Sequence, residues 1–570
     1  MSDDEEFHEL RSLIEAKVTE THARMPRFSR EVAARWWRLN NLYWIEDEYG
    51  KKVKFRATPI QTRMFFRLHS RNVVPKARQV RLSTLMLLLA LDTALFKGNQ
   101  TIGIVDKTDE DAKRKLARMR FAYDHLDDKD DEATAAMGRM IKLMAPRRLN
   151  SAHEMQWAND SKAWASTSLR GGTITFLWVT EFGPIAADFP EKAAEIKTGT
   201  LNALHAGPGL FGCIESTYKG GRFGKFFEMI RLAQKSGPRP NALQWRLSFF
   251  GWHDEPTYQL PVTGPLIISG KQVEYFEQLE REIGRKLTPE QKHWYITKEA
   301  EQGEDMHVEF PGTLEEAIRG KVEGAIYGEQ MRELRARGRI GSLVVDRTAP
   351  LFSFWDIGVS DYTCIWLLQF VGFDVHAVDY YAANGKHPAE HCAYLVKQER
   401  ALGVPILGHF VPHDAEKRDN ANKTYRDLLL EAGLRNVRTV PRTPDVWVGI
   451  NLLRGLLPRF RFAEACEKDR EENEEFFPSG VACLEAYRRK VELVGGVMSE
   501  SPVHDESSHA ADALRTYAEA HKAKLLREVP ALEGEMKRRV EVPQVRMGLA
   551  QPHASRIAQR EPPRQIHVIR

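Results

Sequence analysis

The sequence predicts a mixed α/β protein with two principal domains, and three observations lead there. A chain of 570 residues with 42% apolar and 28% charged content is too long for one core at roughly 100 to 200 residues per domain. Between Val73 and about Trp252, short apolar runs alternate with helical stretches, which is the pattern of a parallel sheet. From Leu351 three apolar runs follow one another across turn-sized gaps, the spacing of an antiparallel meander.

Taken in order, residues 1–48 are charged, aromatic and helical in pattern, with Trp36, Trp37, Leu39 and Trp44 available for packing; they are expected to form an N-terminal arm or lid. Residues 49–252 carry the alternating pattern: a strand at Val73 and Val74, a helix over Leu85 to Leu95, a strand from Thr101 to Val105, a helix from Asp109 to Leu126, and strands at Thr173 to Val179 and Phe211 to Ile214. Residues 253–345 are polar and punctuated by Pro256, Pro261, Pro265, Pro289 and Pro311, and are expected to connect the domains. Residues 346–525 hold the meander, a helix from Pro388 to Leu402, a strand from Ile406 to Val411 and a last helix after Pro502. A meander continued in this way is the order of an RNase H-like domain. In the tail, 526–570, residues 537–570 hold eight Lys or Arg against two Glu, with four prolines, so this segment is expected to be basic and disordered.

Composition excludes several classes. A net charge of +4 is not that of a polycation or an acidic solvating tail, so contact with nucleic acid must come from local patches. The longest apolar run, Leu82 to Phe96, contains Ser83, Thr84 and Asp92 and is shorter than a membrane span. The start, MSDDEEFHEL, lacks the basic and apolar regions of a secretory signal. Cys213, Cys364, Cys392, Cys466 and Cys483 are scattered, which suits a reducing cytoplasm and neither a disulfide framework nor a zinc site.

The segment from Val73 to Leu85 lies between a short strand and an apolar helix, where a phosphate-binding P-loop belongs. Such a loop turns backbone N–H groups toward phosphate and supplies a cation and a hydroxyl for Mg²⁺. Lys76, Arg78, Gln79 and Arg81 are candidates to bind the nucleotide, with Ser83 or Thr84 as the hydroxyl; Arg81 and Leu82 stand where the usual Gly and Lys would be. An apolar strand then ends at Thr180-Glu181, placing a carboxylate where it can orient an attacking water. Another ends in Glu215-Ser216-Thr217, a position suited to sensing the γ-phosphate.

In the C-terminal half, Asp356 ends the first strand of the meander, Asp414 follows the strand Ile406 to Val411, and Asp512 lies on the last helix. Acids from two strand ends and a facing helix can bind two hard divalent ions that polarise a phosphodiester and activate water. His509 is three residues before Asp512 and shares its face, so it can position a ligand or move a proton. Asp505 and Asp361 are weaker candidates, since each suits a cap or turn.

Together these segments resemble the large terminase subunit of tailed bacteriophages over roughly residues 30–525. The loop from Lys76 to Thr84 is similar to the family's deviant Walker A, in which the lysine sits early, although Arg81 departs even from that pattern. Glu181 matches the Walker B glutamate, with Thr180 where an Asp often precedes it. Glu215-Ser216-Thr217 matches the coupling motif, Phe55, Pro59, Ile60 and Gln61 resemble an adenine-reading Q motif, and Asp356, Asp414 and Asp512 match the nuclease triad.

The resemblance implies a P-loop ATPase domain of the ASCE type with a parallel sheet, followed by an RNase H-like nuclease with a mixed sheet. It implies ATP with Mg²⁺, two Mg²⁺ or Mn²⁺ in the nuclease, and the partners double-stranded DNA, a portal ring and a small terminase subunit. A homopentamer on the portal, a monomer in isolation and action in the host cytoplasm without a membrane also follow from it. Two other readings fit parts of the sequence: a helicase-nuclease or resolvase-like repair enzyme, which needs a second RecA-like domain, and a DNA-clamping portal adaptor with a dead nucleotide site.

Overall fold

A computed structural model of the chain describes residues 3–528 and 567–569, apart from 130, 170–172, 205, 206, 208, 220, 319–321, 323, 359–361, 419–421, 473, 474, 495 and 496. The chain divides into two compact units, Met1–Lys321 with Arg564–Arg570, and Val322–Pro563.

The first unit is built on an eight-stranded sheet: β1 (Arg71–Pro75), β2 (Thr101–Val105), β3 (Arg147–Asn150), β4 (Glu154–Trp157), β5 (Lys162–Ser166), β6 (Phe176–Thr180), β7 (Phe211–Ser216) and β8 (Arg246–Leu247), in the order β8-β1-β7-β6-β2-β5-β4-β3. The first six strands in that order are parallel; β4 and β3 add an antiparallel edge that the sequence pattern did not reveal. The loop-bearing strand β1 is separated from β6, which ends at Thr180, by β7, so the ASCE arrangement is present. Every residue of β6 is buried, as expected for a strand covered on both faces. The helix Leu82–Lys97 is apolar all round and buried over most of its length, and Gly98, at φ 58°, ends it.

The expected arm is part of this unit's core. Its helix Arg30–Asn41 buries Leu39, and Arg38 grips the buried Asp92 of helix Leu82–Lys97 with both Nε and Nη2 at 2.8 Å. Residues 253–321, expected as part of a connector, also belong here. Helices Gly270–Ile283 and Pro289–Gln302 contribute Phe276, Leu279 and Tyr295 to the same core as the sheet. Of the basic tail, residues 529–566 and 570 lie outside the described residues; His567–Ile569 form a strand antiparallel to Leu266–Ile268, which departs from the expected disorder.

The second unit contains β9 (Ile340–Gly341), β10 (Leu351–Asp356), β11 (Tyr362–Val371), β12 (Asp374–Asn384), β13 (Ile406–Val411), β14 (Val437–Thr439) and β15 (Phe460–Ala463), in the order β9-β15-β12-β11-β10-β13-β14. The meander β10-β11-β12 is antiparallel, and β13 and β14 run parallel to β10, which is the RNase H-like sheet. The last helix, Glu506–Lys522, packs on β10 and β11: Trp366 donates its indole N–H to Ala510 O at 2.8 Å, and Tyr517 meets Phe354 edge to face. Residues 322–345 belong to this unit, since β9 pairs with β15 and Ile326 N donates to Tyr487 O.

Candidate functional site

In open parallel sheets ligands bind beyond the carboxyl ends of the strands. There, the neighbouring strands β1, β7, β6 and β2 of the first unit bring up Lys76, Glu215, Thr180 with Glu181, and Asp106. Glu215 is the hub, only 1% exposed. Its Oε1 accepts from Ser83 Oγ at 2.7 Å and from Thr180 Oγ1 at 3.1 Å, and its Oε2 lies 3.4 Å from Lys76 Nζ. Burial opposes the Lys76 ammonium, but Glu215 and Glu181 outweigh it and hold Lys76 above the ordinary lysine range. Burial also works against the Glu215 carboxylate, and Lys76, Ser83 and Thr180 bring it below the usual glutamate value.

The loop before helix Leu82–Lys97 has the backbone a phosphate cradle needs. Lys76, Ala77 and Arg78 spend their N–H groups on Ser216, Phe250 and Glu309 carbonyls. Among the described residues, no hydrogen-bond partner meets the N–H groups of residues 79–83. A helix N-terminus with open N–H groups is suited to an anion. Gln79 (φ 55°) and Arg81 (φ 59°) are both left-handed. The conformation that favours glycine at position 81 is therefore kept although the glycine is not, at a cost of about 1–2 kcal/mol per residue.

Glu181 is also left-handed (φ 54°), at the turn from β6 into helix Phe182–Asp188. Burial raises its carboxyl above the ordinary range; Lys76 pulls it back, while Glu215 and Asp106 push it up. Gly183 closes the turn: a Cβ there would stand 2.3 Å from Thr217 O, and its N–H donates to Ser216 Oγ at 2.9 Å. The ends of β6 and β7 are thus tied together through Ser216 and Thr217.

Not every expected nucleotide residue joins this cluster. Arg78 pairs with Glu309 at 2.7 Å and Arg81 with Glu48 at 3.3 Å, both at the surface, so of the expected cations Lys76 is the one beside Glu215. Thr84 Oγ1 accepts from Arg118 Nη2 at 2.7 Å. Gln61, expected to read adenine, is buried with both ends of its amide engaged. Its Oε1 accepts from Thr58 N as a helix cap, and its Nε2 donates to Arg81 O at 2.8 Å, so in this structure it holds the loop. Asp106, which the sequence reading missed, is buried beside Lys115 at 3.1 Å. Its signal was available, since it directly follows the apolar strand β2.

In the second unit Asp356, Asp414, Asp512 and His509 line one cavity of about 410 Å³, together with Glu519, Arg442, Arg515, His413 and His504. His509 Nδ1 donates to Asp356 Oδ2 at 3.0 Å. Asp414 pairs with Lys417 at 2.5 Å, which holds its carboxyl below the usual range. Burial drives the Asp512 carboxyl well above that range, against the pull of Arg515 Nη1 at 2.8 Å. Asp505 caps the last helix through Ser507 N and pairs with Arg488, a structural role; Asp361 lies outside the described residues.

Three aspartates on one cavity are the hard-oxygen donor set that Mg²⁺ or Mn²⁺ requires. Asp512 Oδ1 is buried and is the oxygen that Arg515 Nη1 approaches at 2.8 Å. Among the described residues, no three His, Cys, Asp or Glu side chains stand close enough to ligate one ion. Lys417 and Arg515 occupy two of the acids, so an entering cation would have to replace those pairs.

No family model and no curated protein matches the chain. Among solved structures, it is similar to the large terminase of the thermophilic bacteriophage D6E at 13% identity, over 79% of this chain and 93% of that one, with a TM-score of 0.27. It is similar to the HK97 bacteriophage large terminase at 10% identity, over 85% and 99%, with a TM-score of 0.37. The P22 large terminase nuclease domain is matched at 15% identity over 32% of this chain and 89% of that one, with a TM-score of 0.25.

Proposed function

We propose that the chain is an ATP-driven double-stranded DNA translocase joined to a metal-dependent endonuclease, a genome-packaging motor of the large-terminase kind. The observation that carries this reading is the convergence of Lys76, Ser83, Glu215 and Glu181 beside a loop with open N–H groups. Lys76 and the loop would bind the phosphates of ATP, the Ser83 hydroxyl would ligate the nucleotide's Mg²⁺, and Glu181 would orient the attacking water. Ser216 and Thr217, tied to the turn after Glu181, would carry the change in the nucleotide into β7.

In the nuclease, Asp356, Asp414 and Asp512 would hold two Mg²⁺ or Mn²⁺, with His509 as a helper on Asp356. Bound there, the ions supply Lewis-acid activation of phosphate and water. The partners are double-stranded DNA, a portal ring that seats five copies and a small terminase subunit, acting in the host cytoplasm. The helicase-nuclease alternative is disfavoured because the second sheet is a meander followed by parallel strands, not a second RecA-like sheet. The non-hydrolysing adaptor is disfavoured by a carboxylate at 181 in a strained turn beside Lys76.

Phosphate release from ATP by the purified chain, with and without DNA, tests the reading. Glu181→Gln should still bind ATP and lose at least about 100-fold in turnover. Wild-type turnover in that variant would overturn it.

A further inference from the structure

We infer that Glu215 is the carboxylate that positions Mg²⁺ on the bound nucleotide, the task of the aspartate that precedes the catalytic glutamate in other P-loop enzymes. The inference rests on the nucleotide-site reading above and goes beyond it, since the family resemblance places position 215 only in a coupling motif. P-loop NTPases hold their Mg²⁺ with the loop Ser or Thr and with an acid at the end of the Walker B strand. Here that strand, β6, ends in Thr180, which has no charge to offer.

The geometry moves the acid one strand over. Thr180 and Glu215 are register partners on the adjacent parallel strands β6 and β7, and their side chains meet at 3.1 Å, so they share one face of the sheet. The loop hydroxyl, Ser83 Oγ, donates to the same Glu215 oxygen at 2.7 Å. Glu215 thus makes the contact with the loop serine that a Walker B acid would make. Its other oxygen, Oε2, is buried and pairs with Lys76 Nζ at 3.4 Å. A buried carboxylate needs a cation beside it; Lys76 supplies it here, and Mg²⁺ would supply it once Lys76 turns to the phosphates. The extra methylene of glutamate lets an acid on β7 cover the ground that an aspartate at position 180 would cover. The competing account makes Glu215 only the counter-charge of Lys76. It predicts the same loss whether or not Mg²⁺ is present.

The test is the Mg²⁺ dependence of binding of a fluorescent, non-hydrolysable ATP analogue to the full chain, together with the Mn²⁺ resonance spectrum of the nucleotide complex. Mg²⁺ should tighten binding by the wild type. Glu215→Gln should lose about 10- to 100-fold of that tightening, the usual effect of removing a partner of a metal ligand, while its binding in EDTA stays near the wild-type value. Thr180→Asp with Glu215→Gln, which returns the acid to β6, should recover the Mg²⁺ dependence.

Undiminished Mg²⁺ dependence in Glu215→Gln, or an equal loss in Mg²⁺ and in EDTA without recovery in the double variant, would overturn the assignment and leave the ATPase reading standing. A wild-type chain that binds no nucleotide in either condition would overturn both. If Glu215→Gln fails to fold, the double variant decides alone: Mg²⁺ dependence retained there supports the assignment, and its loss overturns it.

Discussion

His509 Nδ1 lies 3.0 Å from Asp356 Oδ2, joining the last helix to the end of the first strand of the meander across 153 positions of sequence. The histidine is 5% exposed and orients a carboxylate on the cavity wall. In the proposed nuclease, the acid is the metal ligand and the histidine its support. Asp356→Asn should therefore abolish Mg²⁺- or Mn²⁺-dependent cutting of plasmid DNA, as should Asp414→Asn and Asp512→Asn. His509→Ala should lose about 10- to 100-fold. Equal loss in His509→Ala and Asp356→Asn would mean that the imidazole itself acts on the substrate.

The Arg81 backbone gives a stability prediction of the opposite sign to most substitutions. A left-handed non-glycine residue costs about 1–2 kcal/mol, and the Arg81–Glu48 pair is exposed and contributes little. Against this, glycine gives up about 0.5–1 kcal/mol in chain entropy. Arg81→Gly should leave thermal stability unchanged or raise it by up to about 1 kcal/mol. Arg81→Val, with a branched Cβ at φ 59°, should lower it. A lower melting temperature for Arg81→Gly than for Arg81→Val would show that the loop does not hold this conformation in solution.

How much of this was legible in the sequence depends on whether one segment or several are needed to see it. Asp356, Asp414 and Asp512 each end or ride on an element with a plain apolar pattern, so their common cavity was readable from element order. The pairing of Glu215 with Ser83 was not, because it depends on β7 lying between β1 and β6, and strand order is absent from local pattern. The helices of the span 253–321 are hidden for a different reason. Pro289 resembles loop punctuation in the sequence, yet it is the first residue of a helix capped by Thr288 and Gln291, and a proline at that position starts a helix. Ser269 and Gln272 cap the helix before it in the same way.

Two buried histidines make the second unit sensitive to acid. Burial lowers His391, set between the rings of Trp355 and Tyr381, to about 4. It lowers His409, beside Ser353 Oγ, to about 4 as well. The fold favours the neutral rings, so above an unfolded pKa of about 6.5 they cost nothing. Between about 6.5 and 4 the unfolded chain takes up protons that the folded chain refuses, and stability falls as pH falls. The ceiling is about 3 kcal/mol for each histidine. Urea unfolding of the full chain at pH 7, 6 and 5 should show this decline, and His391→Leu should flatten it. An unchanged slope in that variant would exclude His391 as a source.

The arm should not be removable. Asp92 has no exposed surface, and Arg38, Arg35 and Tyr43 surround its carboxylate at 2.8–3.1 Å. Burial would raise its carboxyl, but the two arginines carry it below the usual range. Taking away one side of a buried ion pair costs about 3–5 kcal/mol because the other charge stays buried. Arg38→Ala should lower the melting temperature of the chain markedly, and deletion of residues 1–48, which removes both arginines and Tyr43, should leave it insoluble. A soluble deletion variant with wild-type ATP turnover would show that the segment is an accessory lid.

The last prediction concerns where the nuclease can be cut free. A fragment beginning at residue 346, the boundary suggested by sequence pattern, omits Tyr327, Met331 and Leu334, all buried in the second unit. It also omits β9 on the edge of the sheet, and Arg339, which donates to Phe460 O at 2.8 Å and pairs with Asp374 at 2.7 Å. Each buried apolar side chain lost removes about 1.5–3 kcal/mol of burial, and three of them approach the whole stability of a typical domain. Residues 322–528 should therefore give a monodisperse fragment with cooperative thermal unfolding, and 346–528 should aggregate or unfold without a transition. Because the three aspartates all lie within 322–528, the longer fragment should cut DNA with Mg²⁺ or Mn²⁺ and without ATP, and with little sequence preference if it reads the phosphate backbone. In the full chain, Asp356→Asn should leave ATP turnover intact. A stable, active 346–528 fragment would show that the segment from Val322 is not needed for that fold.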